Sequence, residues 1–194
     1  SCFGGIGALA LPPFHLIFLL LPAVTALVWA VYRSVGIKEA FGTGWWFGLG
    51  HGLVGYYWIS NAFFVDAESH GILAPFSVVG IAAGLAILPG LTAAGTWRLC
   101  RWCAAPAITF VLIFGCVWGV SEWIRSWIFT GFTWNLVATI WTISPELLQT
   151  AAMVGPYGLG VLTIVLAGLP ALFLINECRF RASICLSIGL LLYA

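Results

Sequence analysis

Long unbroken runs of Leu, Ala, Val, Ile and Gly follow one another along this chain, separated by short loops that hold most of its charge. A membrane is crossed either by helices, whose backbone bonds are satisfied internally, or by a closed barrel of roughly ten-residue strands alternating apolar and polar residues. The runs here do not alternate, so they read as helices. Only 7% of the residues are charged, against about a quarter in a soluble domain, which leaves no room for a sizeable water-soluble part. One helical span takes about 20 residues to cross a core of about 30 Å. The expected fold is therefore all-α, a polytopic membrane protein of about seven transmembrane helices with the first and last truncated. A net charge of +1 argues against nucleic acid as a partner.

Residues 1–11 form the tail of a first span, stopped by Pro12 and Pro13, which cannot continue a helix. Spans two to four are expected at 14–32, 42–64 and 71–97, the fourth kinked at Pro89. In the third, Gly44, Gly48 and Gly52 recur at four-residue spacing, a surface on which another helix can lie closely. Trp45, Trp46, Tyr56, Tyr57 and Trp58 cluster near its ends, where amphipathic rings prefer the membrane interface. A fifth span, 104–129, carries Glu122 and Arg125 in its last turns. Ser144, Pro145 and Glu146 then read as a helix start, with Ser as cap, Pro at the first position and an acid near the positive end of the dipole. That helix is interrupted at Gly155 and Pro156, and a sixth span follows at 157–175. Residues 182–194 begin a seventh, and because both ends lie in apolar runs the chain reads as a fragment.

Short cytoplasmic loops carry the excess of Lys and Arg. Arg33, Lys38, Arg98, Arg101, Arg179 and Arg181 fall in the loops after spans two, four and six, which places those loops in the cytoplasm. The acidic loop from Asp66 to His70 and the stretch from Thr130 to Pro145 then lie outside it, and so does whatever follows Ala194. Arg125 is the one base that breaks the pattern.

Glu122 and Arg125 lie three residues apart on one helix face, so the charges can pair directly. Either they form an ion pair that only orients the helix end, or Arg125 holds a lipid phosphate through its planar fork while Glu122 fixes the guanidinium. Trp58, Asn61 and Trp134 are further candidates for a lipid headgroup or its entrance, each with a plain packing or interfacial alternative. His51, alone inside the third span, reads as a packing residue. Cys100 and Cys103 form a Cys-x-x-Cys pair, but no second pair or nearby His completes a zinc site. Cys2, Cys116, Cys178 and Cys185 are scattered. No catalytic constellation, metal site or cofactor is expected in this chain.

Four stretches occur in a familiar order: GALALPPF (7–14), GWWFGLGHGLVGYYWISNAF (44–63), EWIRSWIFTGFTWN (122–135) and LLQTAAMVGPYGLGVLTI (147–164). Together they resemble the membrane domain of the apolipoprotein N-acyltransferases, the most specific piece being Glu-Trp-x-Arg running into Thr-Gly-Phe-x-Trp. Where that family usually has proline before the last Trp, this chain has Thr133. The resemblance implies residues 1–194 as an N-terminal transmembrane domain, with a nitrilase-like catalytic domain expected after 194 and absent here. The whole enzyme would sit in the bacterial inner membrane and move an acyl chain from a phospholipid to the amino group of a lipoprotein's diacylglyceryl cysteine. It would do so through a Glu, Lys and Cys triad and a thioester. None of the six cysteines here would be that nucleophile, and this chain alone would be inactive. The alternative class is a small multi-span transporter or non-catalytic scaffold, but transporters more often show matching broken helices in two halves, and none are visible.

Overall fold

The computed structural model of the protein describes residues 2–65, 71–128 and 131–175. Every regular element among them is helical: α1 (Cys2–Ala8), α2 (Leu20–Arg33), α3 (Ile37–Gly55), α4 (Ala74–Leu85), α5 (Ile87–Trp102), α6 (Ala107–Arg125), α7 (Pro145–Leu148), α8 (Ala151–Gly168) and α9 (Ala171–Leu174), with 3-10 segments between several of them. Among the described residues three stretches are long and apolar enough to cross a membrane, Gly71–Trp102, Ala107–Arg125 and Ala151–Leu174, and Ile17–Arg33 is a shorter apolar helix. The bundle exposes many large apolar side chains, among them Phe76, Trp102 and Trp127. That surface suits lipid and would be a liability in water.

The glycine spacing in α3 does what its pattern suggests. A Cβ on Gly44 would strike the carbonyl oxygen of Pro89, one on Gly48 would lie 2.9 Å from the Pro89 ring, and one on Gly52 would lie 2.8 Å from Ala82 Cβ. Helix α3 thus lies antiparallel along α4 and α5 at a separation only glycine permits. The break between α4 and α5 comes at Ala86, three residues before Pro89, because Pro89 has no N–H to offer the carbonyl one turn back. On the other side of the bundle Gly115 and Gly119 of α6 receive Val161 and Val165 of α8. Val24 and Val28 of α2 close over Gly168, and the Thr25 hydroxyl donates to the Ala167 carbonyl at 2.9 Å.

Trp97 near the end of α5 donates from its indole to the Ser34 carbonyl at 2.9 Å, and Arg101 sits 5.6 Å from the Trp97 ring centre. The segments carrying Arg33 and Lys38 and those carrying Arg98 and Arg101 therefore share one end of the bundle. The residues around Arg179 and Arg181, the loop at 66–70, Phe129, Thr130 and the seventh span lie outside the described residues.

Helix α3 is shorter at its far end than the apolar run implies. It stops at Gly55, and residues Tyr57–Phe64 form a 3-10 segment. The Gly55 carbonyl, which in a continuing helix would accept from Ile59, accepts instead from the Asn135 side chain at 2.8 Å, and the Ile59 N–H turns to Tyr56. A distant residue has taken the helix's acceptor. The expected helix start at Ser144 is present as α7, with the Ser144 hydroxyl accepting from the Leu147 N–H at 3.4 Å. Gly155, at φ 73°, makes the interruption inside α8.

Candidate functional site

Helix α6 turns Trp118, Glu122 and Arg125 to one side because they are spaced four and three residues apart. All three are buried, Glu122 with 6% and Arg125 with 8% of their surface exposed. Burial of an acid and a base three residues apart normally means a direct pair. Here the two diverge.

Glu122 leans toward α8 and the segment after Asn135. Its Oε1 accepts the Val137 N–H at 3.0 Å, and a Cβ on Gly160 would stand 3.0 Å from Oε2. The absence of a side chain at Gly160 is what makes room for the carboxylate. Arg125 points the other way, to the end of α3, where its Nη1 donates to the Tyr56 hydroxyl at 3.2 Å. No hydrogen bond joins the two, and among the described residues Glu122 Oε2 and Arg125 Nε and Nη2 have no partner. The direct pairing that the sequence spacing allows is therefore not made, since each group is drawn to a different neighbouring element.

The segment after α6 holds this end together. Asn135 adopts φ 56°, a conformation Asn tolerates better than most residues, and so reaches Gly55. Phe132 packs edge-on against Tyr56 with ring centres 5.4 Å apart. Residues Val137–Ile143 then form a 3-10 segment whose Val137, Ala138, Ile140 and Trp141 are buried. The Trp141 indole donates to the Thr163 hydroxyl at 2.9 Å. Backbone that leaves the α-helical pattern inside a bundle needs protein partners for its polar groups, and the Val137 N–H finds one in Glu122. Between these elements lies a cavity of about 40 Å³, lined by His51, Tyr56, Trp118, Glu122, Arg125 and Asn135 among others.

Trp58, Asn61 and Trp134 occupy the outside of the same end. Trp58 and Trp134 meet with ring centres 5.1 Å apart at an angle of 53°, and both are exposed, as is Asn61 on the 3-10 segment. The five sequence candidates thus come to one end of the bundle in two layers, a buried charged pair and an exposed aromatic rim. His51 stacks on Phe47, with ring centres 6.3 Å apart, and its Nδ1 faces α1 at Gly7. Nothing in the sequence around Tyr56 or Asn135 points to the partners they take. Tyr56 bonds a residue 69 positions away and Asn135 one 80 positions away, and no local pattern carries such a signal. Among the described residues no group of His, Cys, Asp and Glu could hold a metal ion.

A helical bundle clad in apolar side chains, with a buried acid and base at one end and paired tryptophans over it, defines a multi-pass membrane domain with a polar pocket. Sequence comparison narrows that class. The profile described as apolipoprotein N-acyltransferase N-terminal domain matches residues 3–169, and the chain belongs to this family. It is 42% identical to an apolipoprotein N-acyltransferase of Caulobacter vibrioides over 138 residues, 71% of this chain and 25% of that protein. With those of Allorhizobium ampelinum and Rhodopseudomonas palustris the identity is 33%, over 87% and 88% of this chain and about a third of each relative. The chain spans between a quarter and a third of the length of these relatives.

Proposed function

We propose that this chain is the membrane domain of a bacterial phospholipid:apolipoprotein N-acyltransferase, the part that receives lipid rather than the part that makes or breaks bonds. The observation that carries the reading is the family match over residues 3–169. Its substrates would be a phospholipid acyl donor and a diacylglyceryl apolipoprotein acceptor, and its location the inner membrane. In this reading the chain forms about seven spans. The loops with Arg33 and Lys38, Arg98 and Arg101, and Arg179 and Arg181 are cytoplasmic, and the Arg125 end is periplasmic. The bond-making Glu, Lys and Cys lie in a nitrilase-like domain after residue 194. Trp58, Asn61 and Trp134 line the lipid entrance, since exposed tryptophans suit the headgroup level, and Glu122 and Arg125 stand behind them.

The test uses the full-length protein and follows acyl-enzyme formation from phospholipid and acyl transfer to a lipoprotein peptide. Both are expected, with Trp134→Ala slowing the first step and leaving transfer from a preformed acyl-enzyme unchanged. A correctly folded full-length protein that forms no acyl-enzyme from any phospholipid would sink the reading.

A further inference from the structure

Arg125 is more than nine-tenths buried and lines the cavity at this end of the bundle, yet among the described residues only one of its three nitrogens is bonded. The two unpartnered nitrogens are Nε and Nη2. Those two N–H groups make the side-on edge of the guanidinium, the edge that binds two oxygens of one carboxylate or phosphate in parallel. Tyr56 adds to it. Its hydroxyl accepts from Arg125 Nη1, which leaves its own proton free to donate.

The obvious competitor for that edge is Glu122, and the fold keeps it elsewhere, with Oε1 on the Val137 N–H and Oε2 against Gly160. A buried Arg whose fork edge is unmatched is costly, because removing a charged donor from water without an acceptor forfeits several kcal/mol. The cavity of about 40 Å³ holds on the order of three water-sized groups. That is room for the oxygen-bearing edge of a phosphate and not for a whole headgroup.

We infer that Arg125 Nε and Nη2, with the Tyr56 hydroxyl, form a binding site for the two free oxygens of a phosphate group. Glu122 is a positioning residue, and its place against Gly160 is what leaves the edge open. The donor set stands on the geometry; the assignment of the phosphate to a phospholipid rests on the acyltransferase reading above.

The experiment measures equilibrium binding to the purified full-length protein in detergent. The probes are a short-chain phosphatidylglycerol, the matching diacylglycerol without phosphate, and inorganic phosphate as competitor. Arg125→Ala is expected to weaken phosphatidylglycerol binding about tenfold or more, and Tyr56→Phe about fivefold, in line with charge-assisted and neutral hydrogen bonds. Arg125→Lys, which keeps the charge and loses the fork, should fall between the native protein and Arg125→Ala. It keeps the test readable where Arg125→Ala does not fold. Diacylglycerol binding should not change in any variant. Competition by inorganic phosphate at concentrations near the lipid's own would assign the site to free phosphate, and its failure to compete would assign it to the lipid headgroup; both keep the donor set. Equal phosphatidylglycerol binding by the native protein, Arg125→Lys and Tyr56→Phe, all folded, overturns the site. If acyl-enzyme still forms in that case, the acyltransferase reading survives without it. Phosphate-dependent binding in a protein that forms no acyl-enzyme would leave the site and remove the acyltransferase reading.

Discussion

Asn135 does two jobs that can be separated. Its positive φ is a backbone requirement, and its Nδ2 supplies the bond to the Gly55 carbonyl. Asn135→Gly keeps the first and loses the second, at a cost of about 1 kcal/mol. Asn135→Ala loses both and should cost about 2 kcal/mol, since an alanine held in the left-handed region adds about 1 kcal/mol or more. Unfolding of the full-length protein in mixed micelles would measure the difference, and equal losses would mean that φ contributes nothing. Ser144 offers a second test on the surface. Its hydroxyl donates to Glu146 Oε2 at 2.7 Å, and this bond holds the Glu146 carboxyl below its ordinary range. A depressed carboxyl adds stability above its ordinary pKa, and that contribution is lost as pH falls through the depressed value. Ser144→Ala should therefore raise the Glu146 pKa, read by carbon NMR of a labelled Glu side chain, and an unchanged pKa would remove the hydrogen bond as the cause.

Helix α3 is defined by what its glycines admit. Gly48→Val would force side-chain atoms into Pro89 and Ala86, whose atoms already lie 2.9 and 3.0 Å from where a Cβ would sit. The expected loss is about 1 to 3 kcal/mol, the range for overpacking. Gly80 and Gly84 in α4 are the control, since a Cβ on either meets nothing within 4 Å. Gly80→Ala and Gly84→Ala should stabilise by up to about 1 kcal/mol through helix propensity. If Gly48→Val and Gly84→Ala shift the midpoint of unfolding alike, close approach is not what the spacing serves. The 3-10 segment after α3 follows the same logic from the other side: the helix ends where a side chain from 80 residues away removes its acceptor.

The bundle has two distinct ends, one gathering Ser34, Trp97 and Arg101, the other Tyr56, Arg125 and Asn135. The orientation proposed for them predicts opposite access. Val35 and Val65 are both 89% exposed and stand at opposite ends of α3 and its extension. In full-length protein with its native cysteines replaced, Val65→Cys should react with a membrane-impermeant thiol reagent in intact spheroplasts. Val35→Cys should react only after permeabilisation. The reverse pattern would invert the proposed topology.

Composition and hydrophobic runs alone determined that this chain is helical and membrane-bound, because lipid offers the backbone no hydrogen bonds and leaves few other solutions. The spacing of Gly44, Gly48 and Gly52 determined that α3 has a close neighbour, and the serine and proline at 144 and 145 determined where α7 starts. These are local properties, repeated within a few turns. The position of Glu122 and Arg125 on one face of α6 was equally legible, but their separation was not. It depends on Val137 and Gly160 drawing the carboxylate one way and Tyr56 drawing the guanidinium the other, contacts across 15 to 69 residues. Helical periodicity places side chains on a face and says nothing of which neighbour will stand there, so the open edge of Arg125 follows only from how the helices pack.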